Sequence, residues 1–278
     1  KADKNLLDMT VGKAGDLPKW IQGRYNSVVG IDYSVDNIEN SLNGACARYL
    51  QEKQKKARIP KCIFLSGDAS KNIKNGAAFG DKQKNKLIMN AIYGNGSRDP
   101  KEIGEGTAKI FGVGEKGFDV ISNQFSTHYF FKDKESLIEF ATNLSENCKI
   151  GGYIMGTCYD GEKIFNLLKD KEPNETIVKK DSKGNIIWRI VKRYQGSEIK
   201  IDETSLGLEI DILQESINKI HTEYLVIFKY FSKILESFGF IPCPKNELSR
   251  FGLDNPIGSF KDLFELMNTD IVEGKFHK

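Results

Sequence analysis

The chain has 278 residues, of which 39% are hydrophobic and 28% are charged, a composition typical of a folded globular protein. Forty-one Lys and Arg residues against 38 Asp and Glu leave a net charge of +3, which neither requires nor excludes a nucleic-acid partner. The five cysteines are scattered without a CxxC pair and the three histidines lie far apart, which argues against a disulfide framework and against a metal site. Reduced thiols, together with the lack of a signal peptide or an apolar stretch of roughly 18 residues, predict an intracellular protein without membrane contact.

Three early segments repeat one pattern, a short apolar run followed by a tight turn and a helical stretch. This pattern predicts strands at 5–9, 27–32 and 61–65, with helices at 17–22 and about 35–56. Further along, the chain predicts strands at 118–122 and 152–157 and helices at 135–148, 162–169, 223–238 and 260–267. Strands that alternate with helices indicate a doubly wound, mostly parallel α/β sheet with helices on both faces.

Two regions depart from this alternation. Residues 72–117 are rich in Gly, Lys and Asn and predict an insertion or a long loop, with a helix at 86–93. Residues 174–212 alternate in the manner of antiparallel β-hairpins. We expect a single domain that spans residues 1–278. Because the chain starts at a predicted strand, we also expect it to be part of a larger protein.

A glycine-containing turn follows the first strand. Gly12 and Gly15 permit a close backbone approach to a ligand, and the helix after them directs its amino end toward the same place. Asp8 and Asp16 flank the turn, where a pyrophosphate would be repelled and a cationic ligand would be attracted. The turn therefore favours a positively charged ligand over a dinucleotide.

Acidic residues also end the next two strands. Asp32 lies about twenty residues beyond the turn, where a carboxylate accepts hydrogen bonds from ribose hydroxyls in dinucleotide-type folds. Asp68 ends the third strand, where a short acceptor reaches an adenine amine. A lone Asp at a strand end is more often a helix cap. The recurrence of aspartates over three successive strand–helix units favours a nucleoside ligand instead.

Four motifs, in order, resemble the mRNA cap guanine-N7 methyltransferases. They are Leu-Leu-Asp-Met-Thr-Val-Gly-Lys-Ala-Gly-Asp-Leu at 6–17, Gln-Phe-Ser-Thr-His-Tyr at 124–129, Gly-Gly-Tyr-Ile-Met-Gly-Thr at 151–157 and Glu-Tyr-Leu-Val at 223–226. The resemblance covers most of the chain and is nearest to the methyltransferase domain of the multifunctional capping enzymes of large DNA viruses. It implies a Rossmann-like methyltransferase fold and transfer of a methyl group from S-adenosylmethionine to N7 of the 5′ guanosine cap of mRNA.

The resemblance also implies a role for individual residues. S-adenosylmethionine would be bound by Asp8, Gly12, Lys13, Asp16, Asp32, Tyr33, Asp68, Ala69 and Gln124. The cap would be bound by His128, Tyr129 and Glu223 at the guanine, and by Lys13 and Arg48 at the phosphates. Guanine N7 carries its own lone pair, so the reaction needs alignment rather than a general base or a metal. The expected partners are 5′-capped RNA and fused or associated RNA triphosphatase and guanylyltransferase domains, in the cytoplasm if the protein is viral and in the nucleus if it is cellular.

Some features leave alternatives open. Thr10 and Val11 replace the Gly-Cys that the family usually carries and Ala14 replaces a glycine, so cofactor affinity is in question. By themselves, His128 and Tyr129 also fit an ordinary pair at a sheet edge, and Glu223 fits a solvated residue at a helix start.

The alternative function is a non-catalytic module with a methyltransferase fold that binds or stimulates a capping partner. A methyltransferase with a small-molecule or other RNA substrate is a third possibility.

Overall fold

The computed structural model describes residues 4–56, 58–215 and 219–272. The described residues form two compact units, which divide between Ile234 and Leu235. Within these residues, no helix combines the length and the apolar character that crossing a membrane requires. The assignment of residues 1–278 to a single domain stays a prediction.

The first unit is built on a five-stranded parallel sheet. Its strands are β1 (Asn5–Asp8), β2 (Ser27–Asp32), β3 (Lys61–Ser66), β4 (Phe118–Gln124) and β5 (Cys148–Thr157). Their order is β3-β2-β1-β4-β5, and every neighbouring pair is parallel. The order in which successive strands are added to the sheet therefore reverses between β1 and β4. In open α/β sheets such a switch point, at the carboxyl ends of the strands, is where ligands bind.

Helices accompany this sheet and the segments around it. They are α1 (Leu17–Gln22), α2 (Val35–Glu39), α3 (Ala45–Lys55), α4 (Gln83–Ile92), α5 (Pro100–Ile103), α6 (Glu105–Ala108), α7 (Lys134–Asn147) and α8 (Gly161–Leu168). One sheet face packs on α1, α2 and α3 in a core that includes Leu6 and Trp20. Leu7 and Ile121 point to the other face and are also fully buried. A sheet covered on both faces accounts for its continuous apolar strands, and the predicted parallel α/β sheet is confirmed.

The helix predicted over 35–56 is interrupted in its middle. The Asn40 side chain accepts hydrogen bonds from the backbone N–H groups of Leu42 and Asn43, which offers the backbone an alternative to the helix. A Cβ at Gly44 would lie 2.7 Å from the backbone of Asn40, so the tight turn depends on that glycine. The single helix was a wrong prediction, and α2 and α3 replace it.

The segment at 72–117 contains the three helices α4, α5 and α6. The predicted helix at 86–93 corresponds to α4. Its Ile88, Met89 and Ile92 side chains are buried, so the segment contributes to the core of the first unit.

A second sheet is antiparallel and has four strands. They are β6 (Thr176–Lys180), β7 (Ile186–Lys192), β8 (Glu209–Gln214) and β9 (Ile220–Tyr224), in the order β6-β7-β8-β9. The hairpins predicted at 174–212 are present, but the prediction of helix from residue 223 was wrong. Residues 220–224 pair with β8, and the β-branched and aromatic Ile220, Thr222 and Tyr224 suit a strand. Helix α9 (Phe228–Ser237) begins only after this strand, and α10 (Lys245–Leu248) and α11 (Phe260–Val272) follow.

Candidate functional site

The turn after β1, residues 9–16, is here named the first turn. Its backbone is tied to β2, because the N–H of Val11 bonds the carbonyl of Ile31 at 2.9 Å and the N–H of Gly12 bonds Oδ2 of Asp32 at 2.8 Å. Gly12 has a φ of +53°, a conformation that favours glycine. A Cβ at Gly12 or Gly15 would have no protein atom within 4 Å. Both glycines therefore leave room for a ligand to reach the backbone of the turn.

Asp8 lies at the carboxyl end of β1 and only 3% of its surface is exposed. Its Oδ1 accepts a hydrogen bond from the N–H of Thr10 at 3.2 Å. Burial, with smaller contributions from the nearby carboxylates of Asp16 and Asp32, raises the pKa of Asp8 to about 7. Three acidic groups in one place stabilise a cation, which fits the ammonium and sulfonium charges of S-adenosylmethionine.

Asp32 lies at the end of β2 and organises the first turn. Besides the bond from Gly12, its Oδ1 accepts hydrogen bonds at 2.9 Å from the N–H of Ser34 and from Nδ2 of Asn37. A carboxylate offers roughly four acceptor positions, so these bonds leave about one for a ribose hydroxyl. The neighbouring Tyr33 is 80% exposed.

Asp68 and Tyr33 line the same cavity, which has a volume of about 390 Å³ and is also bounded by Phe79. Oδ1 of Asp68 accepts hydrogen bonds from the N–H and the hydroxyl of Ser70, at 3.0 and 2.6 Å. The adjacent Ala69 is buried. An aromatic ring, a carboxylate and a half-open cavity at the end of β3 suit an adenine base.

The two predicted phosphate ligands lie on different elements. Nζ of Lys13 donates to Oδ1 of Asn43 at 2.7 Å and lies 3.3 Å from Oδ2 of Asp36. A ligand phosphate would therefore have to compete with a carboxylate for this ammonium. Arg48 lies on α3, half-buried.

Gln124 ends β4, next to the switch point of the sheet. Its Nε2 donates to the hydroxyl of Ser122 and its Oε1 accepts from the hydroxyl of Thr157, both at 3.1 Å. Phe125 follows with a φ of +55°, a conformation that non-glycine residues rarely adopt. The side chain of Gln124 is thus fixed between two hydroxyl groups where the chain leaves the sheet.

His128 and Glu223 form what we name the buried pair. His128 lies on the 3₁₀ helix Thr127–Phe131 and Glu223 on β9, with 5% and 8% of their surfaces exposed. Nε2 of His128 lies 3.6 Å from Oε1 of Glu223, too far for a good hydrogen bond. Among the described residues, neither nitrogen of His128 nor Oε2 of Glu223 has a hydrogen-bond partner.

Burial also shifts the titration of this pair. It lowers the pKa of His128 to about 4, with a smaller contribution from His221, and it raises the pKa of Glu223 to about 7. Near neutral pH the imidazole is therefore uncharged and the carboxyl group lies close to its midpoint. Buried polar atoms normally have partners, so a group of them without partners points to a ligand.

Two tyrosines lie beside the buried pair. The ring of Tyr129 packs edge-on against His128 with the ring centroids 4.2 Å apart, and the tyrosine is 46% exposed. Tyr159 lies in the loop after β5, and its hydroxyl is hydrogen-bonded to Nε2 of Gln214 on β8. Burial and the charge of Glu223 both raise the pKa values of these tyrosines. Aromatic rings beside a buried carboxylate suit a purine that donates N–H groups.

Apart from Arg48 on α3, the structure brings the predicted residues to two neighbouring places at the carboxyl edge of the parallel sheet. The first turn bonds Asp32, and Asp68 lines a cavity with Tyr33, whereas the buried pair lies with Tyr129. The interpretation of Glu223 as a solvated helix residue was wrong, and so was that of His128 and Tyr129 as a sheet-edge pair. Sequence reasoning missed Tyr159. It lies two residues beyond β5, and nothing in the local sequence distinguishes it from other tyrosines in loops. Among the described residues, no group of three or more His, Cys, Asp or Glu side chains is placed to hold a metal ion.

The fold and the site together define a doubly wound α/β protein with an acidic glycine turn and a separate buried polar pair beside aromatic rings. A family model described as the mRNA (guanine-N(7))-methyltransferase domain matches residues 1–267. The chain belongs to this family.

Curated relatives agree with the family model. A probable mRNA-capping enzyme of Acanthamoeba polyphaga mimivirus is 30% identical over 236 residues, which cover 83% of this chain and 18% of that protein. The mRNA cap guanine-N(7) methyltransferase of Debaryomyces hansenii is 24% identical over 276 residues, 97% of this chain and 47% of that protein. The protein of the same name from Schizosaccharomyces pombe is 25% identical over 233 residues, 84% of this chain and 51% of that protein. The chain spans about half or less of the length of these relatives.

Proposed function

We propose that this domain transfers a methyl group from S-adenosylmethionine to N7 of the guanosine cap at the 5′ end of mRNA. Membership of the family supports this reaction. The observation that carries the proposal is the buried pair, whose unpartnered polar atoms lie beside two tyrosines at the same sheet edge as an acidic glycine turn.

The first turn and the ends of β2 and β3 would hold the cofactor. Asp8, Gly12 and Asp16 would contact its methionine end together with Lys13 and Gln124. Asp32 would bind the ribose, and Tyr33, Asp68 and Ala69 would contact the adenine. S-adenosylmethionine, when bound, supplies an activated methyl group.

The buried pair and its tyrosines would hold the cap guanine. The carboxylate of Glu223 accepts from the ring N–H and the exocyclic amine of the base, and neutral His128 contributes a second polar contact. Tyr129 and Tyr159 provide aromatic surfaces against which a base can stack. Lys13 and Arg48 would lie toward the cap phosphates.

Catalysis in this proposal rests on alignment and electrostatics. Holding two reactants in line supplies a large part of the barrier reduction, and a misplacement of about 1 Å costs roughly 100-fold in rate. The guanine gains positive charge when N7 is methylated, and the carboxylate of Glu223 in a poorly solvated pocket stabilises that charge. No proton has to leave N7, so the proposal requires neither a general base nor a metal.

The relatives also support a wider setting for this reaction. The mimivirus relative is a probable capping enzyme much longer than this chain, which supports fused or associated RNA triphosphatase and guanylyltransferase domains as partners. The compartment would be the cytoplasm or virion for a viral protein and the nucleus for a cellular one.

The test is a transfer assay with labelled S-adenosylmethionine and two RNAs that differ only in a GpppA cap. We expect label on the capped RNA alone, and digestion of the product should place it on N7 of the cap guanosine. His128→Ala and Glu223→Ala should abolish transfer while S-adenosylhomocysteine binding persists. The control is Glu209→Ala, which removes a carboxylate from the adjacent strand β8. Label on uncapped RNA would contradict the proposal, and cofactor binding without transfer would favour the non-catalytic module.

A further inference from the structure

Asn123 of β4 connects the first turn to the 3₁₀ helix that carries His128. Its Nδ2 donates to Oγ1 of Thr10 at 3.3 Å, and its Oδ1 accepts from Oγ1 of Thr127 at 2.8 Å. Asn123 and Thr127 are only 4% and 5% exposed. We name this set of three side chains the Thr10 bridge. Both polar ends of one buried amide are thus used to join two elements that are distant in sequence.

The backbone under the bridge has little freedom to move. Asn123 lies in β4, which pairs with β1 on one side and with β5 on the other, where its partner is Gly156. A Cβ on Gly156 would lie 2.7 Å from the carbonyl oxygen of Asn123, so the strands are in close contact at this point. Movement of the first turn would therefore lengthen or break the bond to Thr10 instead of carrying β4 with it.

The first turn is also tied to Asp8. The backbone N–H of Thr10 donates to Oδ1 of Asp8, and the hydroxyl oxygen of Thr10 accepts from Asn123. On the other side, Thr127 directly precedes His128 in the same short helix. Consecutive hydrogen bonds thus run from the carboxylate of Asp8, expected at the cofactor, to the hydroxyl of Thr127, the residue that precedes His128.

We propose that Thr10 and Asn123 are positioning residues that hold the first turn and the buried pair in one relative geometry, so that a ligand at either place strengthens binding at the other. This inference rests on the proposed function, which places the cofactor at the first turn and the guanine at the buried pair. The coupling through the bridge therefore requires the Thr10 hydroxyl.

The physical basis is the cost of leaving a buried amide unpaired. Without the Thr10 hydroxyl, Nδ2 of Asn123 loses an acceptor in a place with almost no exposure to water, a loss that is expensive. Asn123 would then be free to adopt other rotamers, and Thr127 would lose a fixed acceptor. Ligand binding that fixes the first turn would no longer also fix the helix of His128, and the two affinities would become independent.

The test measures binding of the cap analogue GpppG in the absence and in the presence of saturating S-adenosylhomocysteine, by calorimetry on the purified 278-residue chain. We expect the wild-type protein to bind GpppG at least about 5-fold more tightly when the cofactor product is present. Thr10→Val, which replaces the hydroxyl with a methyl group, should reduce this ratio to about 1, and Thr10→Ser should restore most of it. The matched control is Thr142→Val, because that hydroxyl donates to the Ile138 carbonyl of its own helix.

A second variant guards against a defect of folding. Thr127→Val breaks the other end of the bridge and should lower the ratio to the same extent, whereas the double variant with Thr10→Val should lower it no further. Melting temperatures identify any variant that is simply unfolded. A ratio of 1 in the wild-type protein, or an unchanged ratio in Thr10→Val, would overturn the inference. If the wild-type protein showed the expected ratio of GpppG affinities but transferred no methyl group to capped RNA, the result would instead contradict the proposed function.

Discussion

At the first turn, the carboxylate of Asp32 already accepts three hydrogen bonds from the protein. At the buried pair, both nitrogens of His128 and one oxygen of Glu223 have no hydrogen-bond partner among the described residues. The hydrogen-bonding capacity of Asp32 is thus largely satisfied within the protein, and these bonds hold the first turn in its conformation. The other region carries an energetic cost in the free protein that a ligand with matching N–H groups would relieve.

This difference predicts how each region responds to substitution. Changes at the first turn should alter loop geometry and therefore cofactor affinity. Changes at the buried pair should remove guanine recognition and, at the same time, relieve a cost in the free protein.

Glu223→Gln should have the largest effect on transfer. It keeps the size of the side chain but replaces one carboxylate oxygen with a donor, which would face the donors of the guanine. We expect transfer to capped RNA to fall by about 100-fold or more, with S-adenosylhomocysteine affinity within a factor of about 2. Steady-state kinetics and calorimetry measure the two quantities. If Glu209→Gln on β8 produced an equal loss, the effect would not be specific to the buried pair.

Asp32→Ala should damage the opposite region. It removes the acceptor of the Gly12 N–H and two further bonds, so the first turn loses its fixed conformation. We expect S-adenosylhomocysteine affinity to fall by about 30-fold, while GpppG binding measured without cofactor changes little. Asp99→Ala, at a helix start in the α5 region, is the matched control. An unchanged affinity for S-adenosylhomocysteine would contradict the proposed role of Asp32 in cofactor binding.

Tyr159→Ala tests the residue of the proposed guanine site that sequence reasoning missed. Loss of a stacking surface should raise the KM for capped RNA by about 10-fold and leave the cofactor KM unchanged. Tyr159→Phe keeps the ring and should stay near wild type, although it loses the hydrogen bond with Gln214. Tyr224→Ala, next to Glu223 but on the other face of β9, provides the comparison. Equal effects of the two alanine variants would show that Tyr159 has no special role.

The smallest expected effect is on stability against pH. Burial raises the pKa of Glu223 to about 7, so the folded state binds this proton more tightly than the unfolded chain does. The stabilisation is full below the unfolded pKa of about 4.5, and it declines as pH rises toward 7. Glu223→Gln removes this titration. The melting temperature of the variant minus that of the wild type should therefore be larger at pH 8 than at pH 5, by at least about 2 °C. Because His128 titrates in both proteins, its contribution cancels in the difference, and a constant difference across pH would contradict the assigned burial.

The two regions also differ in how far the sequence predicted them. The ends of β1, β2 and β3 were predictable because apolar runs mark buried parallel strands, and a carboxylate at each end is visible in the chain. The sequence therefore predicts that Asp8, Asp32 and Asp68 lie at the same edge of the sheet.

The guanine side depends on contacts that local patterns do not encode. The run around Glu223 was predicted as helical, and only pairing with β8 makes it a strand that buries the carboxylate. Tyr159 depends on the meeting of the β5 loop with Gln214, and Asn123 depends on two threonines that lie 113 and four residues away. Long-range contacts of this kind override local propensity. The break before Gly44 has a local cause instead, because the Asn40 side chain competes with the helix for backbone N–H groups.

The most direct test of the account is the number of protons released when GpppG binds. At pH 7 the carboxyl group of Glu223, with a pKa of about 7, is about half protonated in the free protein, and it must be ionised to accept from guanine. Calorimetry in two buffers of different ionisation enthalpy should therefore show release of about half a proton per GpppG, and Glu223→Gln should release none. Binding without proton release, or equal release from the variant, would contradict the claim that guanine is recognised by this buried carboxylate.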